Sequence, residues 1–149
     1  MIALACDHGG LALKAEIKKL LEERGLPYQD FGTESAASCD YALFAYPAAC
    51  AVASGVCKQG ILVCGTGVGM ALAANKVKGI RCVVCSDVFT AVLSRQHNNA
   101  NMLALGERVV GQGLGRLIAS MWLDAEFEGG RHTRRIGHIA AIEEGVTPC

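Results

Sequence analysis

The chain carries no excess of charge of either sign: 14 Lys and Arg stand against 14 Asp and Glu, a formal net charge of zero. A general electrostatic pull toward nucleic acid or an anionic membrane surface is thereby excluded, so any anion it binds must be gripped locally. It has no long apolar run either. Every such stretch is broken by Gly, Lys or Asp, and Met1 leads into strand-like sequence without a basic leader. The expectation is a cytoplasmic protein with no membrane span and no signal peptide. The usual nucleotide fingerprints are absent: Gly65-x-Gly67-x-Gly69 is not G-x-G-x-x-G, and no G-K-[ST] occurs. Metal-ligand spacing is missing too. The eight cysteines contain one C-x-x-C, Cys82 to Cys85, inside an apolar run where alternation sends the two side chains to opposite faces. Most of the cysteines, Cys149 included, therefore read as small buried hydrophobes of a reducing compartment, with no disulfide and no metal.

What is present is core material: 52% of the 149 residues are hydrophobic, enough for one domain over 1–149. Strand-like and helical segments alternate along it. Met1 to Cys6, Tyr28 to Phe31, Ile61 to Val63, Ile80 to Cys85 and Met102 to Leu105 read as strands. Leu11 to Arg24, Tyr41 to Ser54 with Pro47 kinking it or marking a late start, a helix opening at Met70, Asp87 to Arg95, Gly113 to Leu123 and about Thr133 to Glu144 read as helices. Ser86 or Asp87 is a plausible N-cap for the fourth of these. The alternation predicts an α/β fold, a parallel sheet covered by helices on both faces. No repeat, linker or low-complexity tract interrupts it.

The organising stretch runs from Gly60 to Lys76. A short apolar strand meets a glycine loop and a helix start, with Cys64 and Thr66 at the junction. Free N–H groups and the positive end of a helix dipole suit such a loop to negative charge, and a tight turn with close helix packing is the plainer reading. In open parallel sheets ligands sit beyond the carboxyl ends of the strands. Asp7-His8, Cys64 to Gly69 and Ser86-Asp87 all fall at such ends. Cys64 at a helix start is either an activated thiol or one more buried cysteine. His97 is a site residue or a surface histidine. Asp7 either orients His8 or turns the chain. Arg131, Arg134 and Arg135 form the one compact cationic cluster, with Arg131 and Arg135 on one face of a helix, fit to grip a phosphate or simply solvated. Lying far along the chain from the glycine loop, they complete either this chain's own site or a neighbouring subunit's.

At these residues the sequence resembles the type B ribose-5-phosphate isomerases, the family that also holds allose-6-phosphate and galactose-6-phosphate isomerases. The match runs through Cys6-Asp7-His8-Gly9-Gly10, Asp40-Tyr41, Cys64-Gly65-Thr66-Gly67-Val68-Gly69, Ala73-Ala74-Asn75-Lys76, Ser94 to Asn98, Gly106 to Gly111 and Glu128-Gly129-Gly130-Arg131-His132. The resemblance implies a three-layer Rossmann-like domain with a five-stranded parallel sheet, homodimeric, each site built from both chains and the segment from about 129 to 149 touching the partner. It implies an aldose–ketose isomerase of the pentose phosphate pathway, acting on a sugar phosphate through a cis-enediolate with no metal or organic cofactor. A hexose phosphate substrate and a non-catalytic sugar-phosphate-binding subunit are the alternatives. By the same resemblance Cys64 is the base between C1 and C2, His97 assists furanose opening with Asp7 nearby, and Thr66 belongs to the catalytic set. His8, Arg108, Arg131 and Arg135 match phosphate contacts, Tyr41 and Asn98 match sugar contacts, and Gly65, Gly67, Val68 and Gly69 form the loop. One departure stands out: Asp40-Tyr41 is followed by Ala42-Leu43-Phe44, where the family usually has a proline and an acid.

Overall fold

A computed structural model describes residues 1–148; Cys149, one of the cysteines expected to be buried, lies outside them. Five strands, β1 (Ile2–Cys6), β2 (Tyr28–Asp30), β3 (Gln59–Cys64), β4 (Cys82–Val84) and β5 (Met102–Gly106), form one sheet in the order β2-β1-β3-β5-β4, with every pairing parallel. Six helices follow in turn: α1 (Leu11–Glu23), α2 (Ala42–Ala53), α3 (Val68–Ala74), α4 (Val88–Asn98), α5 (Glu107–Asp124) and α6 (Arg131–Glu143). The α/β class and the five-stranded parallel sheet expected from the sequence are both present. None of the helices in the described residues is long and apolar enough to cross a membrane.

The three central strands are buried along their whole length, as unbroken apolar runs in a parallel sheet require. Alternation divides their side chains between two cores. Leu4, Ile61, Val63, Leu103 and Leu105 meet Leu13, Ile17, Ile118 and Trp122 on the face covered by α1, α4 and α5. Ala3, Ala5, Leu62, Cys64, Met102 and Ala104 meet Ala45, Ala48, Ala49, Met70 and Ala74 of α2 and α3. The second core is lined with alanine, which lets α2 lie close on the sheet even though Pro47 sits inside that helix. Cys82 and Cys85 fall into different cores, as the alternation argument expects.

Boundaries differ where local signals were weak. α5 starts at Glu107, well before Gly113, because β5 passes into it without a loop; Gly111, at φ 65° and ψ −174°, breaks the helical path and hides the first turn from a periodicity test. Glu107 ties that turn to α1 by accepting the Leu13 N–H at 2.8 Å. α6 begins at Arg131, and β4 is confined to Cys82–Val84 at the sheet edge. Asp87 is the N-cap of α4, accepting the Thr90 N–H at 2.7 Å.

Lys14 carries a charge into the fold, 2% exposed. The Lys14 ammonium bonds Asp30 at 2.9 Å, Glu34 at 2.8 Å and the Thr33 carbonyl at 2.8 Å, tying α1 to the loop after β2. Hydrogen bonds from Lys18 and Lys14 outweigh burial and hold the Asp30 carboxyl below its usual range. The turn after β1 is pressed against β3: a Cβ on Gly10 would stand 2.7 Å from the Val63 carbonyl carbon. Gly10→Ala is expected to destabilise the fold by about 1–3 kcal/mol, the usual cost of overpacking, seen as a lower urea midpoint at constant m. An unchanged midpoint would show that β1 and β3 do not need this approach.

Candidate active site

The strand order reverses between β1 and β3, and at their carboxyl ends lies a cleft of about 250 Å³. Three strand ends build it. After β1, the Asp7 carboxylate accepts the Gly9 N–H at 2.8 Å, closing a turn from which His8 projects. Asp7 is thus bonded to the turn, and His8 is held from elsewhere: its Nδ1 accepts the Cys39 N–H at 3.2 Å, with the Cys39 sulfur 3.6 Å away. With Nδ1 accepting, the neutral ring carries its proton on Nε2.

β3 ends at Cys64, which points to the α2/α3 side and lines the cleft while only 5% exposed. The chain then turns through Gly67 at φ 80°, ψ −20°, a left-handed conformation that glycine adopts without steric cost. This turn aims the Gly67 N–H back at the Cys64 sulfur, 3.0 Å away. That donor is consequently spent on the thiol and is not free for a ligand. Burial pushes the thiols of Cys6 and Cys82 up to about 12 and that of Cys85 up to about 11. Those groups stay protonated at neutral pH; none of them lines the cleft.

Gly69 gives Tyr41 its place. A Cβ there would meet the Tyr41 ring at 2.9 Å, so the ring lies across the bare backbone at the cleft wall. Tyr41 has α-helical dihedrals, φ −54° and ψ −33°, which a following proline would disfavour and Ala42 permits. The third strand end is that of β5. The Arg108 N–H donates to the Gly65 carbonyl at 3.1 Å, and its guanidinium runs past Gly65 into the cleft with no carboxylate bonded to it among the described residues. Ser86 and Asp87, expected at the site, lie instead at the edge strand β4, where Asp87 caps α4. Thr66 is on the cleft wall and Val68 opens α3 just beyond it.

His97, Asn98, Arg131 and Arg135, expected at the site, are far from this cleft. α4 starts at the carboxyl end of β4 and runs back, so His97 and Asn98 reach the amino-terminal edge of the sheet. There Arg81, just before β4, holds the Asn98 and Asn99 carbonyls at 3.1 and 2.9 Å. A six-residue β3 separates the two edges by roughly 20 Å. Arg131 and Arg135 stand on α6, whose far end returns to the same edge through Glu143 and the Gly79 N–H at 2.9 Å. His97 stacks on His132 with centroids 4.2 Å apart and planes 9° from parallel. Glu128 Oε2 lies 3.8 Å from Nε2 of each ring. Desolvation, helped by His97, Arg131 and Arg135, holds the His132 imidazole below its ordinary value.

Cys39 and Glu128 are the parts that sequence reasoning missed. Cys39 acts through its backbone, which leaves no trace in residue type. Glu128 opens a recognised motif, and its spacing of four from His132 was the available signal. Gly67→Ala should cost about 1–2 kcal/mol through the left-handed backbone. It should also shift the rate of Cys64 alkylation by iodoacetamide, followed by peptide mass mapping, several-fold. An unchanged alkylation rate would contradict the Gly67–Cys64 bond.

Comparison with known proteins agrees with this fold. The model of the Ribose/Galactose Isomerase family matches residues 2–139. The chain is 53% identical over 143 residues to ribose-5-phosphate isomerase B of Escherichia coli, covering 96% of each chain. It is 41% identical over 143 residues to D-erythrulose-4-phosphate isomerase of Pectobacterium atrosepticum, covering 95% of this chain and 94% of that one. Among solved structures, ribose-5-phosphate isomerase B of Clostridium thermocellum superposes with a TM-score of 0.95 at 52% identity, over 97% of both chains. A glycine-held thiol at the switch point of a five-stranded parallel sheet, a family match over nearly the whole chain and a near-identical fold lead to one statement: the chain belongs to the ribose/galactose isomerase family and is an aldose–ketose isomerase.

Proposed function

We propose that the protein interconverts ribose 5-phosphate and ribulose 5-phosphate through an enediolate, at a site shared between two copies of the chain. The observation that carries this is the Cys64 sulfur, held by the Gly67 N–H on the wall of a cleft that also contains His8 and the free Arg108 guanidinium. A base beside C1 and C2 of an open-chain sugar takes a proton from one carbon and returns it to the other. Cys64, reacting as thiolate, is the only group in the glycine loop with that chemistry; Val68, Gly69 and Met70 have no acid to offer. Negative charge that develops on the enediolate oxygens is met by the Thr66 hydroxyl and by loop N–H groups other than those of Gly67, which bonds the Cys64 sulfur, and Val68, which bonds the Thr66 hydroxyl.

Ring opening precedes this step and needs a proton for the ring oxygen. His97 suits that task but lies at the opposite edge of its own sheet, and so do Asn98, Arg131 and Arg135. A symmetric pair of chains resolves this, each inserting its α4 end and α6 into the other's cleft. His8 and Arg108 from one chain, with Arg131 and Arg135 from the other, then grip the phosphate. Tyr41 and Asn98 contact the sugar, and the chemistry requires no metal or organic cofactor. Leu43 of α2 and Val68 and Leu72 of α3, exposed apolar side chains on the helices that carry the cleft residues Tyr41 and Gly69, support such a contact. The zero net charge and the absence of a basic surface excess favour a small phosphate ester over nucleic acid as the ligand.

Cys64→Ala should lower turnover of ribose 5-phosphate by about 10³-fold or more, in line with loss of a general base, while sugar-phosphate binding by calorimetry survives. Full activity would remove Cys64 as the base. Arg135→Ala should raise KM about 10- to 100-fold, the worth of a charge-assisted hydrogen bond, with kcat changed less. An unchanged KM would take Arg135 off the phosphate. Turnover of allose 6-phosphate or galactose 6-phosphate faster than ribose 5-phosphate in a side-by-side panel would reassign the sugar length.

A further inference from the structure

The cluster at the end of α4 contains more than the ring-opening histidine. Glu128, Gly129 and Gly130 form a reversing turn between α5 and α6, with Gly129 at φ 68° and Gly130 at φ 57°. The Glu128 N–H donates to the Gln96 carbonyl at 3.0 Å, which fastens the turn to the last turn of α4, one residue from His97. From there the chain enters α6, and His132 comes to lie buried against His97 in a near-parallel stack. A single carboxylate oxygen, Glu128 Oε2, stands 3.8 Å from Nε2 of both rings. That is too long for a hydrogen bond and short enough for strong Coulomb attraction to whichever ring carries a proton.

We propose that Glu128 and His132 are positioning residues that hold the His97 imidazole, in its charged form, for opening the furanose ring. Two stacked imidazoles 4.2 Å apart do not both charge readily, and His132, buried and flanked by Arg131 and Arg135, is the one disfavoured. The proposed proton on His97, the more exposed of the two rings, stands opposite the Glu128 carboxylate. The face of neutral His132 supports the imidazolium as an aromatic ring supports a cation. In the reaction the imidazolium gives its proton to the ring oxygen as the C1–O4 bond breaks. The anomeric hydroxyl proton passes to Asp7 of the facing chain, leaving the C1 aldehyde and a free O4 hydroxyl. Charge and atoms balance, and the reverse transfers close the ring. Without Glu128 the imidazolium loses the carboxylate that faces it; without His132 it loses the surface that fixes its plane.

This inference rests on the isomerase reading above, and the experiment separates the two. Ribulose 5-phosphate has its O5 phosphorylated and no hydroxyl placed to form a furanose, so Cys64 can act on it with no ring to open. Proton NMR in heavy water follows two events from this substrate: loss of a C1 hydrogen by exchange, which reports proton abstraction, and formation of cyclic ribose 5-phosphate, which also needs ring closure. In Glu128→Gln, an isosteric change at an exposed side chain, C1 exchange should stay within about threefold of wild type while ribose 5-phosphate formation falls about tenfold or more, the scale of general acid–base assistance. The unclosed aldehyde returns to the enediolate and exchanges instead. His132→Gln should show the same split. Equal loss of both signals, or no loss of either, in these variants overturns the proposal. A wild-type protein that neither exchanges nor converts ribulose 5-phosphate would defeat the isomerase reading itself.

Discussion

A strand buried on both faces has to end somewhere, and where β3 ends the backbone groups that paired within the sheet lose their partners. The Gly67 N–H turned back onto the Cys64 sulfur at 3.0 Å is the chain's answer to that constraint. It needs φ 80° at residue 67, which calls for glycine, and it needs β5 to pass beneath, which calls for glycine again at 106, where a Cβ would stand 2.6 Å from the Thr66 carbonyl carbon. The rest of the architecture serves that position. The reversal of strand order opens a gap above β1 and β3, alanine-lined packing brings α2 and Tyr41 to its wall, and the passage from β5 into α5 delivers Arg108.

The same sheet that makes the thiol accessible keeps the histidine away from it. A helix that crosses back over a parallel sheet carries its last turn to the opposite edge, and α4 does this with His97 and Asn98. Arg81 fixes the end of α4 by its carbonyls, and the Glu128 N–H fixes the start of the next turn, so the histidine cluster is rigid but remote. Charge is divided in the same way. The cleft holds an unpaired guanidinium, while α6 presents Arg131 and Arg135 with no acid bonded to either among the described residues. Two incomplete cationic halves at opposite edges of the sheet fit the proposed pair of copies closing on a single phosphate.

Much of this was legible before any coordinates. The unbroken apolar runs of β1, β3 and β5 suit buried parallel strands, and the glycine spacing after Cys64 announces a tight turn at a strand end. The opposite facing of Cys82 and Cys85 follows from alternation alone. The start of α5 was hidden because Gly111 interrupts the periodicity within one turn of its beginning. Cys39 was hidden because a backbone N–H has no signature in the side chain that carries it. The separation of His97 from Cys64 was deducible in principle from the direction of a crossover helix. Motif order along the chain lists the two together and says nothing of sheet edges.

The central claim is that one chain supplies the thiol and its partner supplies the imidazole. Mixing the two inactive variants Cys64→Ala and His97→Ala, after unfolding and refolding together, tests it directly. If sites are shared across a symmetric pair, random reassortment leaves half of the molecules mixed, with one intact site in each, and restores about a quarter of wild-type activity. Activity no greater than that of the two variants refolded apart would mean that each chain works with its own histidine or with none, and the shared site would have to be abandoned.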